Sequence, residues 1–341
     1  MSRLKSLQYY VVLRLLLAPL QVFTIATIVF LLLRATPGDP ITALLGPRVP
    51  ESVRNQLKDQ LGLNKPLLQQ YFDYIGDLLQ LNLGSSLTSQ GTSVWEIIQS
   101  FFPATAELAI FSMIFALVIG VLAGMLSSAR PGSGLDVGGR LFGIITYAIP
   151  LFWLGMLLQL LFHVQLGWFP VGSRFPATAL PPDGPTGLYT LDSLLAGDWS
   201  SFWISVHHLV LPCVSLGIVL SGIFERIVRV NLRQTLQSDY VEAARARGIP
   251  ERRVLVVHAF RNALIPVVTV FGLTFAAMLG GAVLTEVTFS WEGLGGELFK
   301  AIKGRDYPTV QGIIVFFSII IVMASIAIDL VNAYIDPRIR Y

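Results

Sequence analysis

Six long runs of this sequence contain no Asp, Glu, Lys or Arg: Leu15–Leu33, Leu108–Ala129, Leu141–Phe162, Leu209–Phe224, Ala263–Thr285 and Tyr307–Ile328. The fourth is the shortest, but it extends uncharged back through His208 and His207 to Trp199. A helix needs about 20 mostly apolar residues to cross the hydrocarbon core of a bilayer. Six transmembrane helices, an all-α polytopic membrane protein, are therefore expected, with both termini on one side. Composition agrees: 13% of the residues are charged, against roughly a quarter in a soluble domain. Arg3, Lys5 and Arg14 precede the first run, as they would in a secretory signal. That run is longer than a usual signal core and continues into Arg34-Ala35-Thr36-Pro37-Gly38-Asp39 instead of a small-residue cleavage site, so it is expected to remain as a span.

Basic residues set the orientation. With a cytoplasmic N-terminus, the inside segments 1–14, 130–140, 225–262 and 329–341 hold 15 Lys and Arg in 76 residues. The outside segments 35–103, 163–208 and 286–306 hold 8 in 136 residues. Both ends are accordingly expected in the cytoplasm. Three connectors have character of their own. In 35–103, Glu51–Gln60 and Pro66–Leu81 have helical periodicity, with Leu67, Leu68, Tyr71, Phe72, Ile75, Leu78 and Leu79 at helical spacing and Asp73 and Asp77 on the other face; a small external cap is expected. Segment 163–208 carries Pro170, Pro176, Pro181, Pro182 and Pro185 and reads as turns and extended chain, bracketed by Trp168, Phe169, Trp199, Phe202 and Trp203 as an interfacial belt. In 286–306, Trp291–Gly296 is a glycine-rich turn before a brief helix at Glu297–Lys303. There is no internal repeat and no low-complexity tract.

Several chemistries are not expected in this chain. Cys213 is the single cysteine, which excludes an intramolecular disulfide and a multi-cysteine metal site. There is no Gly-x4-Gly-Lys-Ser/Thr phosphate loop and no His-Glu-x2-His, so no catalytic residue, cofactor, metal or nucleic-acid partner is expected. Adjacent residues on a helix do not share a face, so His207 and His208 are read as interfacial or structural; His163 and His258 are lone histidines. Glu225, Glu286 and Asp329 fall at span ends, where water could reach them, and no span has a central acid of the kind a proton-coupled carrier would show.

The most informative stretch is 225–262, which holds Arg226, Arg229, Arg233, Arg245, Arg247, Arg252, Arg253 and Arg261. Ser238 or Asp239 can cap a helix, Glu242 suits its first turn, and Ala243, Ala244 and Ala246 are strong helix formers. Arg245 and Arg247 suit its last turn, Gly248 the left-handed position after it, and Pro250 the start of a second helix over Glu251–Asn262. So short a helix cannot span a membrane. Its narrow alanine ridge fits another protein's groove, and its arginines equally fit anionic lipid headgroups; the residues alone leave both open.

Glu242-Ala243-Ala244 with Gly248 resembles the EAA loop of bacterial binding-protein-dependent ABC importers. His258–Pro266, with its longer spacing from the glycine, is similar to the version in dipeptide/oligopeptide/nickel permeases. The resemblance continues through Asp239-Tyr240, Arg305-Asp306-Tyr307-Pro308, Leu33–Pro40 and Asp336–Tyr341, nearly end to end, and is nearest to the first of the two permeases of a peptide importer. It implies a type I importer permease fold with an N-terminal region and cap over 1–101, a five-helix domain over 102–334 carrying the loop 225–262, and a cytoplasmic tail over 335–341. It implies that Asp239, Tyr240, Glu242, Ala243, Ala244, Arg247 and Gly248 form a coupling helix for an ATPase. The implied partners are a second permease, two ATP-binding subunits, a periplasmic or lipid-anchored substrate-binding protein and membrane lipids; the cargo would be peptides or a related solute such as nickel or glutathione. A stand-alone carrier or channel, or an intramembrane enzyme, would need neither the loop nor those partners.

Overall fold

A computed structural model of the chain describes residues 2–36, 41–42, 50–60, 62–89, 91–280 and 282–335. The resemblance at Pro37–Pro40 and the tail from Asp336 onward lie outside these residues. The described chain is almost wholly helical, with one isolated antiparallel bridge between Ser85 and Ser93. Four helices are long and apolar enough to cross a membrane alone: α1 (Ser2–Ala35), α4 (Val94–Ala129), α8 (Trp199–Leu236) and α14 (Tyr307–Ile335). Two bent pairs bring the number to the expected six if each pair is one span. Between α1 and α4 come α2 (Glu51–Gln60) and α3 (Leu67–Leu79), close to the two cap helices read from periodicity.

The third span is not the straight helix expected over Leu141–Phe162. It consists of α5 (Gly134–Ala148) and α6 (Leu151–Leu158), the latter continuing as a π-helix over Gln159–Gln165, and the two parts meet at 102°. Pro150 is the cause: it disfavours helical backbone at the residue before it, and Ile149 is extended at φ −75°, ψ 125°. The fifth span departs too. The expected separate helix Glu251–Asn262 is instead the start of the span: α10 (Glu251–Arg253), a π-helix over Val254–Ala259, and α11 (Phe260–Leu279), bent by 50° at Pro266. Segment 163–208 holds a helix that its prolines hid, α7 (Tyr189–Ala196), closed by Gly197 in the left-handed conformation. α12 (Val283–Thr288) and α13 (Leu294–Gly304) precede α14.

α4 and α8 form the central pair. Lipid offers apolar side chains nothing to escape from, so close backbone approach through small residues drives such packing. A Cβ at Gly120 would stand 2.5 Å from the Cβ of Phe224, and one at Gly124 2.7 Å from that of Val228. Ser112, Ala116 and Ser221 extend the seam and are fully buried. α8 runs for 38 residues, about 57 Å at 1.5 Å per residue, and so projects beyond the bilayer. Arg226, Arg229 and Arg233 therefore lie on its last turns rather than in a loop, and the connector proper begins at Gln237.

Of the acids at the span ends, Glu225 and Glu286 are buried and Asp329 is partly exposed. Glu225 is fully buried and accepts from Arg229 Nε at 2.8 Å; Asp329 pairs with Arg14 at 2.9 Å, tying α14 to α1. Glu286 is 1% exposed, takes Thr105 Oγ1 at 2.6 Å and the Gly296 amide at 2.6 Å, and so anchors the glycine-rich turn to α4. Asp306, just ahead of α14, accepts from Ser86 Oγ (2.5 Å), the Leu87 and Thr88 amides (3.0 and 3.2 Å) and Thr88 Oγ1 (2.9 Å). Burial pushes its carboxyl up, but these donors outweigh burial and hold it below the usual aspartate range. A lowered folded pKa makes the carboxylate stabilising above the unfolded value of about 3.9, and that stabilisation is lost as pH falls from there through the lowered folded value. Asp306→Asn is therefore expected to lose about 1–3 kcal/mol at neutral pH. The deficit should shrink below about pH 4, as read by denaturant melts in detergent across pH. A deficit that does not change with pH would show that the carboxylate's charge plays no part.

Candidate functional site

The turn after α8 is built almost entirely by short-range rules. α9 (Asp239–Ala246) begins after Ser238, which is extended at φ −83°, ψ 148°. Ser238 occupies the cap position but donates its hydroxyl backward to Thr235 O at 2.5 Å, so it supplies no side-chain cap. Asp239 and Glu242 in the first turn face the positive end of the helix dipole. At the other end the Ile249 amide reaches Ala244 O at 3.3 Å and the Gly248 amide reaches Arg245 O at 2.9 Å. These are the two bonds of a Schellman motif, which needs a left-handed residue after the helix; Gly248 supplies it at φ +72°.

The turn is pinned at three points. Arg245 clamps Glu251 through the Nη2 and Nε edge of its guanidinium, at 2.6 and 3.1 Å, and donates from Nη1 to Leu236 O at 3.2 Å. Tyr240 Oη accepts from Asn262 Nδ2 at 2.7 Å and lies 3.4 Å from His258 O, fastening α9 to the root of the fifth span. Val241 and Ala244, three apart on the inner face, join the core with Val254 and Ala259.

This burial revises the expected set. Ala244 is 6% exposed and packs against its own chain, so it cannot be part of an outward ridge. Asp239, Tyr240, Glu242, Ala243, Arg247 and Gly248 are exposed, and Arg252, Arg253 and Arg261 are exposed beside them. The outer surface is therefore acidic at the start of α9, nearly featureless at Ala243 and basic beyond it. Among the described residues it holds no cluster of His, Cys, Asp or Glu suited to a metal ion. The histidines elsewhere serve the opposite side: His163 Nδ1 lies 2.8 Å from Phe169 O, His207 Nε2 2.7 Å from Trp168 O, and His208 Nδ1 3.1 Å from Ser173 O, each tying a span to the 163–208 connector.

Two buried ionic assemblies escaped the sequence reading. Near the turn, Asp136 on α5 pairs with Arg233 of α8, accepts from Arg140 at 3.1 Å and takes the Gly132 amide at 2.9 Å. On the other side Glu107, inside α4, meets Arg174 of the long connector at 2.8 Å and accepts from the Thr190 amide and hydroxyl at 2.8 and 2.7 Å. The position of Glu107 just ahead of an apolar run was visible; its partner, 67 residues away in a segment read as irregular, was not.

The family model described as "Binding-protein-dependent transport system inner membrane component" matches residues 116–341, and the corresponding N-terminal model matches residues 7–109. The chain belongs to this family. The chain is 42% identical to the di/tripeptide transport system permease protein DppB of Pseudomonas aeruginosa, over 94% of this chain and 95% of that one. It is 38% identical to the probable D,D-dipeptide transport system permease protein DdpB of Escherichia coli, over 92% of each. It is 35% identical to the oligopeptide transport system permease protein AppB of Bacillus subtilis, over 97% and 99%. A solved structure, the MetNI methionine ABC transporter in an inward-facing conformation, has the same fold at a TM-score of 0.54 and 17% identity, covering 71% of this permease and 97% of that chain. The type I importer fold and the peptide-permease resemblance expected from the sequence are thus borne out.

Proposed function

We propose that this permease is one half of a translocation pathway for peptides or a related small solute, paired with a second permease and driven by ATP hydrolysis on two separate ATPase subunits. The observation that carries the reading is the α9 turn: a short helix, fixed to the start of the fifth span by Tyr240–Asn262 and Arg245–Glu251, whose outer face is exposed at Asp239, Glu242, Ala243 and Arg247. A rigid lever of this kind transmits force from a docked partner into the span it is fastened to. Asp239, Tyr240, Glu242, Ala243, Arg247 and Gly248 would meet the ATPase, and Ala244 would hold the lever to the bundle. Such a partner places α9 and both termini in the cytoplasm, as the basic residues also favour. The external face then receives a substrate-binding protein that delivers cargo. The relatives named for dipeptides and oligopeptides support peptide cargo. The chain itself would perform no catalysis and require no cofactor, and residues 1–101 and 102–334 would act as an accessory and a translocating unit.

Reconstitution separates this from a stand-alone carrier. Proteoliposomes holding the permease, its partner permease, the ATPases and the binding protein should take up labelled dipeptide only with ATP. Uptake by the purified chain alone would sink the proposal.

A further inference from the structure

α3 is amphipathic and has no fully buried residue. Its inner side meets α1: Tyr71 Oη lies 2.8 Å from Thr27 Oγ1, the Tyr71 and Tyr74 rings lie 5.3 and 5.6 Å from that of Phe30, and Arg34 Nε donates to Gln70 Oε1 at 2.9 Å. Thr27 stands about 10 Å along the axis from Arg34, inside the first apolar run. The cap helix therefore sits at the depth of the bilayer interface rather than above it. Its other side exposes Leu68, Phe72 and Leu79 by 71, 68 and 80%. This continues the apolar surface that α1 turns outward at Leu31 and Leu32. A helix of this kind lies in the headgroup layer with its apolar face toward the acyl chains.

Between α3, the end of α1 and the first turns of α14 lies a cavity of about 630 Å³. Three of its lining side chains keep a polar atom without a hydrogen-bond partner among the described residues: Arg34 Nη1, Tyr74 Oη and Gln311 Nε2. Gln311 is 6% exposed. The arginine and amide nitrogens can only donate. Burial pushes the Tyr74 phenol up to about 12, so it too carries its proton at neutral pH. An unpaired buried donor costs about 1–3 kcal/mol, and three of them on one cavity, one belonging to a guanidinium, select an anion rich in acceptors. Arg34 is held over the Phe30 and Tyr307 rings at 4.8 and 4.9 Å, which fixes the plane of its fork. The same lining includes three carboxylates. Asp73 is paired with Lys65 at 2.7 Å and Asp59 accepts from Asn64 at 2.6 Å, whereas among the described residues the Asp77 carboxylate has only a 3.5 Å contact from Asn82. Phe72 lines the cavity and is largely exposed, so an apolar surface borders its mouth.

We propose that this cavity is a headgroup site for an outer-leaflet phospholipid, with Arg34, Gln311 and Tyr74 donating to the phosphate and Asp77 receiving a primary ammonium, so that phosphatidylethanolamine is the preferred lipid. A zwitterionic peptide would satisfy the same two charges but would leave Leu68, Phe72 and Leu79 without a covering chain. The bound lipid would bridge α3 to α14 and hold the cap against the bundle.

Native mass spectrometry of the full-length chain, released from nanodiscs of equimolar phosphatidylethanolamine and phosphatidylcholine, reads the preference directly. About tenfold enrichment of phosphatidylethanolamine is expected, equivalent to 1.4 kcal/mol. Asp77→Asn, at an exposed position, should bring the two lipids to equality. Gln311→Glu, which changes volume little and repels phosphate, should reduce retention of both, as should Arg34→Gln; the thermal melt in lipid-free detergent shows whether each variant is folded. Equal retention by the wild type, an enrichment unchanged in Asp77→Asn, retention of both lipids unchanged in Gln311→Glu, or displacement of the lipid by millimolar dipeptide would each overturn the proposal.

Discussion

Arg174→Met is expected to destabilise the permease by about 3–5 kcal/mol, the usual result of removing one member of a buried ion pair. Arg174 and Glu107 are 5 and 2% exposed. Their 2.8 Å contact is one part of a closed assembly: Arg174 also donates to Gly187 O at 2.9 Å, its guanidinium lies 3.7 Å from the centre of the Tyr189 ring, and its amide reaches Glu292 at 3.0 Å. Without the arginine, Glu107 keeps its bonds from Thr190 but holds an uncompensated charge beside an apolar helix seam. Glu107→Gln should cost less, because the amide oxygen can still accept from Thr190 and the arginine keeps Gly187. The double variant Glu107→Leu with Arg174→Met should recover much of the loss, since neither charge is then buried alone. Denaturant unfolding in detergent of the two single variants and the double one gives the coupling energy. A single-variant loss below about 1 kcal/mol would mean that the pair behaves like a surface bridge open to water.

What was legible in the sequence and what was not divides along chain distance. The apolar runs fixed the number of membrane elements because each is decided inside one window of about 20 residues. The α9 turn was readable nearly residue by residue for the same reason: Glu242 at the first turn, Gly248 past the last and Pro250 opening the next are preferences of single positions. The misreadings arose where a distant partner or a single proline decided. Pro150 turned one expected span through 102°, although its effect on Ile149 is a local rule that could have been applied. Ala244 looked like part of an outward ridge because alanine carries no signal of side. Its inward position follows from Val241 three residues earlier, and that spacing was available. Glu107 could not have been assigned from spacing, because its partner Arg174 comes from a connector 67 residues away; Asp136 and Glu225 each have an arginine four residues on, Arg140 and Arg229, so that part of their pairing was legible, whereas Arg233 beside Asp136 comes from another helix and was not. The exposed part of the proposed coupling set was named from resemblance, and the geometry supplies a physical account of how such a turn is held.

Glu242→Arg and Gly248→Val are expected to abolish ATP-driven uptake while leaving the permease folded, and the two act for different reasons. Glu242 is exposed and its side chain makes no hydrogen bond or ion pair among the described residues, so reversing its charge should cost only its place at the positive end of the helix dipole and its attraction to Arg245, about 1 kcal/mol. A large effect on uptake must then arise outside this chain, at the ATPase surface. Gly248 has no atom within 4 Å of where a Cβ would stand, yet its φ is +72°. Space therefore permits a side chain, and only the backbone refuses it. A left-handed L-residue costs about 1–2 kcal/mol, and a β-branched one more. Valine should relax the Schellman turn and swing α9 away from Val254, whereas Gly248→Asn, which tolerates this conformation, should keep most of the uptake. That ordering distinguishes the direction of the lever from a contact made by the residue itself: a contact would be lost with asparagine as well as with valine. Co-purification with the ATPase, ATP-dependent dipeptide uptake in proteoliposomes and ligand retention by the binding protein read the three steps separately. Full uptake by both Glu242→Arg and Gly248→Val would remove α9 as the coupling element. Loss of uptake with the ATPase still bound in Gly248→Val, but released in Glu242→Arg, would place docking at the acidic face of α9 and transmission in the turn that follows it.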